Sequence, residues 1–279
     1  MFSINLYSMY GKVIDLKRKS IGQQISYICF RIIRALVKLF YPKIEIVGLE
    51  NLPKEPCLLV ANHCKTNGPI IGELYVPGRH ATWCAGEMME LKEVPDYAYQ
   101  DFWSHKPKYI RWLYRLLSYI IAPLCVCVFN NASTIAVYRD RRVANTFRET
   151  VNVLCEGSVV TVFPEHAQPH NNIVNDFQEG FVDVARLYHK KSGRALPFVP
   201  LYIAPQLRRI YIGEAIYHNP EAEKRSERRR ICDELMARIT DIAVSLPEHT
   251  VTPYLNMPKR DYPKNIPSEV RPSNEKSNL

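Results

Sequence analysis

Apolar residues recur at helical spacing near the start of the chain. Ile21, Ile25, Ile28, Ile32, Leu36 and Leu39 line one side, and Phe30, Ile33, Val37 and Phe40 widen it. Ser20, Gln23, Gln24, Arg31, Arg34 and Lys38 fall on the other side, and Pro42 ends the run. This predicts a basic amphipathic helix over 20–41. Such a helix suits a membrane interface. The same periodicity fits a helix packed on its own domain, and both readings stay open.

Beyond it, short strand-type runs fall at 43–50, 57–61, 80–84, 124–129, 134–138, 159–163, 197–203 and 209–213. Helical patterns separate them at 69–75, 106–121 (stopped by Pro123), 142–155, 178–191 and 220–246. Gly157 and Gly193 stand where helix C-caps belong. Strands alternating with helices predict an α/β sandwich with a mostly parallel sheet flanked by helices. Prolines at 253, 258, 263, 267 and 272 predict an extended, poorly ordered tail. The expected organisation is therefore an N-terminal membrane-surface helix over 1–42, an α/β domain over 43–250 and a Pro-rich extended tail over 251–279.

Composition narrows the setting. The formal charge of +9 and pI near 9.1 favour anionic partners or surfaces. The chain carries no recognisable nucleic-acid module, and its aromatics do not interleave with a basic stripe, so nucleic acid is not expected. Most of the eight cysteines lie in apolar runs and none forms a CxxC pair, which argues against a disulfide framework and a metal site and for a reducing compartment. His80 and Cys84 could share a metal, but two lone ligands more often belong to a packed segment. No signal peptide is expected. The apolar run 116–129 is shorter than the roughly 20 residues of a spanning helix, so none is expected. The basic run Lys224, Arg225, Arg228, Arg229, Arg230 reads as a solvated face before a lipid contact.

Two strand ends carry the chemistry. The run 57–61 breaks into Asn62-His63-Cys64, and 159–163 breaks into Pro164-Glu165-His166. Ligands of open α/β sheets bind beyond the carboxyl ends of strands. A neutral imidazole there is suited to take a proton from a hydroxyl.

In these residues the sequence resembles the glycerolipid acyltransferases, the family containing 1-acylglycerol-3-phosphate acyltransferase. Four ordered blocks carry the resemblance. Asn62-His63-Cys64-Lys65-Thr66-Asn67-Gly68 matches Asn-His-x-x-x-x-Asp, and Ile135-Ala136-Val137-Tyr138-Arg139 matches Ile-x-Val-x-Arg. Phe163-Pro164-Glu165 begins Phe-Pro-Glu-Gly-Thr-Arg, and Phe198-Val199-Pro200-Leu201-Tyr202 matches an apolar strand with a central proline. The resemblance implies His63 as general base on an acceptor hydroxyl that attacks an acyl thioester. It further implies Arg139 as a phosphate contact, with Glu165 and His166 in the substrate site.

Two departures stand out. Gly68 occupies the position of the family's orienting Asp. Asn67, one residue earlier, is the candidate replacement on the imidazole, and Glu73 or a more distant carboxylate is the alternative. His166, Ala167 and Gln168 replace Gly, Thr and Arg, so a phosphate-binding cation is lost and a titratable side chain gained. His170, Asn171 and Asn172 form a polar loop that could meet a different head group or simply face water.

The resemblance implies an acyltransferase of phospholipid biosynthesis, moving a fatty acyl group from acyl-CoA or acyl carrier protein to a lysophospholipid or related alcohol. No cofactor or metal is implied; the thioester is a cosubstrate. The expected location is peripheral, on an anionic membrane surface at its cytoplasmic face. The alternative is a catalytically inactive, lipid-binding member of the same fold.

Overall fold

The computed structural model describes residues 20–266. The basic triplet Lys17-Arg18-Lys19 and the prolines at 267 and 272 lie outside them. In chain order the elements are α1 (Ile21–Phe40), β1 (Glu45–Val47), β2 (Leu58–Ala61), α2 (Asn67–Tyr75), β3 (His80–Ala85), α3 (Val94–Ala98), α4 (Arg111–Asn131), β4 (Thr134–Val137), α5 (Val143–Cys155), β5 (Val159–Val162), β6 (Glu165–Pro169), β7 (Asn175–Phe177), α6 (Asp183–Ser192), β8 (Pro197–Ala204), β9 (Arg209–Ile212), β10 (Ile216–Tyr217) and α7 (Lys224–Ser245). They form two compact units.

One unit joins the segment ending at Tyr41 with Gly86–Thr134. A capping box starts α1. The Ser20 hydroxyl accepts the Gln23 N–H at 3.4 Å, and the Gln23 side chain accepts the Ser20 N–H at 3.0 Å. The helix buries Phe30, and α4 grips it at Ser26. The Cys127 thiol donates to the Ser26 carbonyl at 3.3 Å, and the Asn131 amide donates to the Ser26 hydroxyl at 2.8 Å.

The expectations that Pro123 ends the helix and that 124–129 form a strand are corrected here. Arg111–Asn131 is one helix with Pro123 inside it. A mid-helix proline removes one backbone hydrogen bond and costs about 3 kcal/mol. The helix keeps its remaining bonds on both sides, and its far end is tied to α1. With the preceding turn, Lys108–Asn131 is long and apolar enough by length and composition to cross a membrane, and only 11% of its most apolar 18-residue stretch is buried. The expectation of no such segment rested on the length of the run 116–129 alone, and the helix extends beyond that run at both ends.

The other unit comprises Pro42–Ala85 and the chain from Ile135 onward. Its sheet runs β1-β9-β8-β2-β5-β3-β4, with β10 added on β8. The pairs β1–β9, β8–β2, β2–β5 and β5–β3 are parallel; β8–β9 and β8–β10 are antiparallel. Central β2 and β8 are buried along their whole length, which explains their unbroken apolar runs. Leu58, Val160, Phe198 and Tyr202 form the core with Val151 and Leu154 of α5, Val184 and Tyr188 of α6, and Ile231, Leu235 and Ile239 of α7. The sequence therefore predicted the architecture correctly: α/β, mostly parallel, flanked by helices.

The basic start of α7 is a set of structural pins. Lys224 and Arg228 both engage Asp183, and Arg230 engages Glu227 at 2.7 Å and Glu234 at 2.9 Å. Beyond α7 the proline-rich segment is fastened through residue 266. Val251, His249 and Asn265 are buried. The side chain of Asn265 accepts the His249 N–H at 2.8 Å and donates to the Ala243 carbonyl at 2.8 Å.

Candidate active site

β2 ends at Ala61, and the next side chain continues its ladder. The Asn62 oxygen accepts the Ile203 N–H at 2.7 Å, and its NH₂ donates to the Ile203 carbonyl at 3.1 Å. Asn62 thus bonds β8 as a strand residue would while the backbone turns away. Cys64 and Lys65 follow at φ +49° and +54°, left-handed values uncommon for such residues. The Asn67 N–H then donates to the Cys64 carbonyl at 3.1 Å and opens α2. His63 is therefore presented from a tight loop at the carboxyl end of β2.

Glu165 holds that loop from the neighbouring strand end. Its two oxygens accept the backbone N–H of His63 at 2.5 Å and of Asn175 at 2.8 Å. Burial pushes its carboxyl up to about 7, against the opposing pull of the Asn175 and His63 N–H groups. This carboxylate is 4% exposed and ties two strand ends together.

The His63 ring is half-buried and has two aromatic neighbours. Phe163 lies 5.4 Å away at 60°, and Tyr254 lies 5.6 Å away at 81°. Cys64 is no rival nucleophile. Its thiol is buried and donates to the Ile203 carbonyl at 3.3 Å, and burial, with Glu165 second, pushes it well above its usual titration range.

Gly68 is sterically fixed. A Cβ there would sit 2.2 Å from the His63 carbonyl oxygen and 2.9 Å from the Phe163 ring. An Asp has no room at this position in this loop. Asn67 is the first residue of α2 and is half-buried. Glu73 faces His80 at 3.9 Å.

His166 begins a hairpin formed by β6 and β7. Its Nδ1 accepts the Gln168 N–H at 3.2 Å, so the neutral ring carries its proton on Nε2, 3.6 Å from Asp176. Asn171 serves the hairpin's own turn, accepting the N–H groups of Ile173 and Val174 at 2.8 and 2.9 Å. Nearby, Arg229 meets Asp233 at 2.6 Å, Asp176 at 3.5 Å and Glu179 at 3.6 Å.

Arg139 is exposed just past β4. β4 lies three strands from β2 in the sheet order, about 14 Å across at about 4.8 Å per strand. Arg142 is occupied elsewhere, stacked 3.7 Å over Tyr138 and paired with Asp140 at 2.9 Å. The structure thus joins His63 to Glu165, places His166 beside them along the chain and leaves Arg139 at the sheet's edge.

Sequence reasoning missed Asn175, Asp176 and Tyr254. Asn175 acts through its backbone, which no side-chain pattern records. Asp176 follows a turn of unforeseeable length. Tyr254 comes from the segment expected to be loosely ordered.

No family model and no curated protein matches the sequence. Among solved structures, the chain is similar to the 1-acyl-sn-glycerophosphate (LPA) acyltransferase PlsC from Thermotoga maritima. The sequence identity is 15%, the match covers 86% of this chain and 90% of that one, and the TM-score is 0.43.

Proposed function

We propose that this protein is an acyltransferase that moves a fatty acyl group from a thioester, acyl-CoA or acyl carrier protein, to the hydroxyl of a lysophospholipid or related acceptor. The observation that carries the reading is the bond from the His63 N–H to buried Glu165 at 2.5 Å, which locks the two strand-end motifs into one site. His63 takes the acceptor's hydroxyl proton as the oxygen attacks the thioester carbonyl. The C–S bond then breaks, and the leaving thiolate recovers the proton. Asn67 is proposed to help orient the imidazole, and Arg139 and His166 to contact the acceptor's head group.

The acceptor site is poorer in free positive charge than the resemblance implies. His166 stands beside Asp176, and Arg229 is shared among Asp176, Asp233 and Glu179. This favours an acceptor other than a simple phosphomonoester. The apolar faces of α1 and α4 support a membrane setting, proposed to be peripheral, on an anionic surface at the cytoplasmic side. Thioester consumption by the purified chain across a panel of lysolipids tests the reading. His63→Ala should lower turnover about 100- to 10,000-fold with the fold intact. Wild-type turnover in that variant would remove His63 from the chemistry. The second reading, a lipid-binding protein without turnover, draws on Gly68, which has no space for the family's Asp. It predicts lipid binding with no thioester consumed.

A further inference from the structure

The segment after α7 forms a closed loop over the His63 site. Its ends meet in an antiparallel bridge between Thr250 and Lys264, reinforced by the Val251 N–H donating to the Pro263 carbonyl at 2.9 Å. Just outside the bridge, the Asn265 N–H donates to the His249 carbonyl at 3.1 Å. Buried His249 donates from Nδ1 to the Pro247 carbonyl at 2.8 Å, which leaves Nε2 to accept the Tyr202 hydroxyl at 2.8 Å. The base of the loop is thereby bolted to β8 and to the end of α7. A long loop with joined ends and its own packing is an Ω-type loop, a form often functional.

Two tyrosines of this loop reach the strand-end turn. The Lys65 ammonium donates to the Tyr262 hydroxyl at 2.7 Å and lies 4.8 Å from its ring centre. Tyr254 sets its ring nearly perpendicular to the His63 imidazole, with Phe163 as a second aromatic neighbour. Lys65 is, with Cys64, one of this turn's two residues held at positive φ. The loop therefore clips the strained turn at one residue and packs against the imidazole at another. The site's glycine points the same way. A side chain at residue 68 would collide with the Phe163 ring and the His63 carbonyl, so a carboxylate there is incompatible with the present aromatic packing.

We propose that Tyr254 is a positioning residue for His63: its ring, set nearly perpendicular to the imidazole with Phe163 as a second neighbour, fixes the imidazole's orientation. The catalytic part of this inference rests on His63 acting as the base; the positional part does not. Aromatic packing restricts the ring's rotation without adding a negative charge. A misdirected base slows proton transfer while leaving substrate binding in place, and displacement of reacting groups by about 1 Å can cost about 100-fold.

The test uses the full chain with histidine labelled at Cε1, and His63 assigned by its loss in His63→Gln. NMR relaxation reports the order parameter of the His63 ring in wild type, Tyr254→Phe, Tyr254→Leu and Tyr254→Ala. Leu keeps bulk where Ala could unfold the loop. The expected result is a rigid ring in wild type and Tyr254→Phe and a looser one in Tyr254→Leu. With an active lysolipid acceptor, kcat falls about 10- to 100-fold in Tyr254→Leu with KM unchanged, and Phe restores it. An unchanged order parameter in Tyr254→Leu overturns the proposal, whatever the turnover. A wild type that consumes no thioester refutes the acyltransferase reading, while the order parameters still decide the positional role.

Discussion

Glu165 shows how one residue can be both anchor and liability. It satisfies two backbone donors, yet it is nearly devoid of solvent, and burial outweighs those donors to raise its carboxyl from 4.5 to about 7. Between these values the folded chain holds a proton that the unfolded chain has released. Its contribution to stability is therefore full below about 4.5 and is lost as pH rises through about 7, on the order of 3 kcal/mol in all. Urea unfolding at pH 4.5, 6, 7 and 8 should show wild type losing that amount relative to Glu165→Gln. Parallel profiles would show that Glu165 titrates normally. Gly68 gives a second prediction. With its Cβ position 2.2 Å from a carbonyl oxygen, Gly68→Ala should cost about 1–3 kcal/mol by overpacking, and Gly68→Asp should raise no turnover. A more active Asp variant would mean that the loop rearranges to take the carboxylate. At this scale the sequence named His63 and Glu165 because each follows an abrupt end to an apolar run. It could not show that Glu165 serves His63 through the backbone, since a backbone N–H leaves no mark in a residue pattern.

Elements were legible wherever periodicity was unbroken. α1, α5 and the central strands lie within a few residues of their expected bounds. The error lay at Pro123, where a local rule for helix termination met an apolar run able to keep its remaining hydrogen bonds. The structure also adds to the open choice over α1. Its inner side buries Phe30 and is bonded to α4 through Ser26, while its isoleucine stripe faces outward, from 50% exposed at Leu36 to 78% at Ile21. Trp112, Leu116, Tyr119, Ile120 and Leu124 of α4 are exposed as well. Solvent-facing stripes of this extent mark an interaction surface. Replacing Ile25, Ile28 and Ile32 together by Ser should leave the melting temperature nearly unchanged, because the positions are already exposed. The same change should abolish flotation with vesicles, since each fully buried side chain of this kind contributes about 1.5–3 kcal/mol. Loss of stability with retained flotation would show instead that the stripe is covered by protein.

On the scale of the whole molecule, the net charge of +9 invites an electrostatic account that the fold qualifies. The densest basic run, at the start of α7, is largely spent on Asp183, Glu227, Asp233 and Glu234. The apolar faces of α1 and α4 have no such partners among the described residues to explain them. Burial of apolar surface should therefore hold the chain on a bilayer, with charge adding selectivity among lipids. Salt separates the two terms. Exposed charges are screened over about 3 Å at 1 M salt, whereas apolar burial is not weakened by such screening. Sedimentation with neutral phosphatidylcholine vesicles should survive 1 M sodium chloride. Replacing a third of that lipid by phosphatidylglycerol should strengthen binding at 0.1 M, by about 1 kcal/mol for each basic residue near the surface, and the advantage should vanish at 1 M. Release from both vesicles at 1 M would make charge the anchor and leave the exposed stripes for another partner. The sequence supplied the sum of the charges; which ones are already matched depends on side chains far apart in the chain.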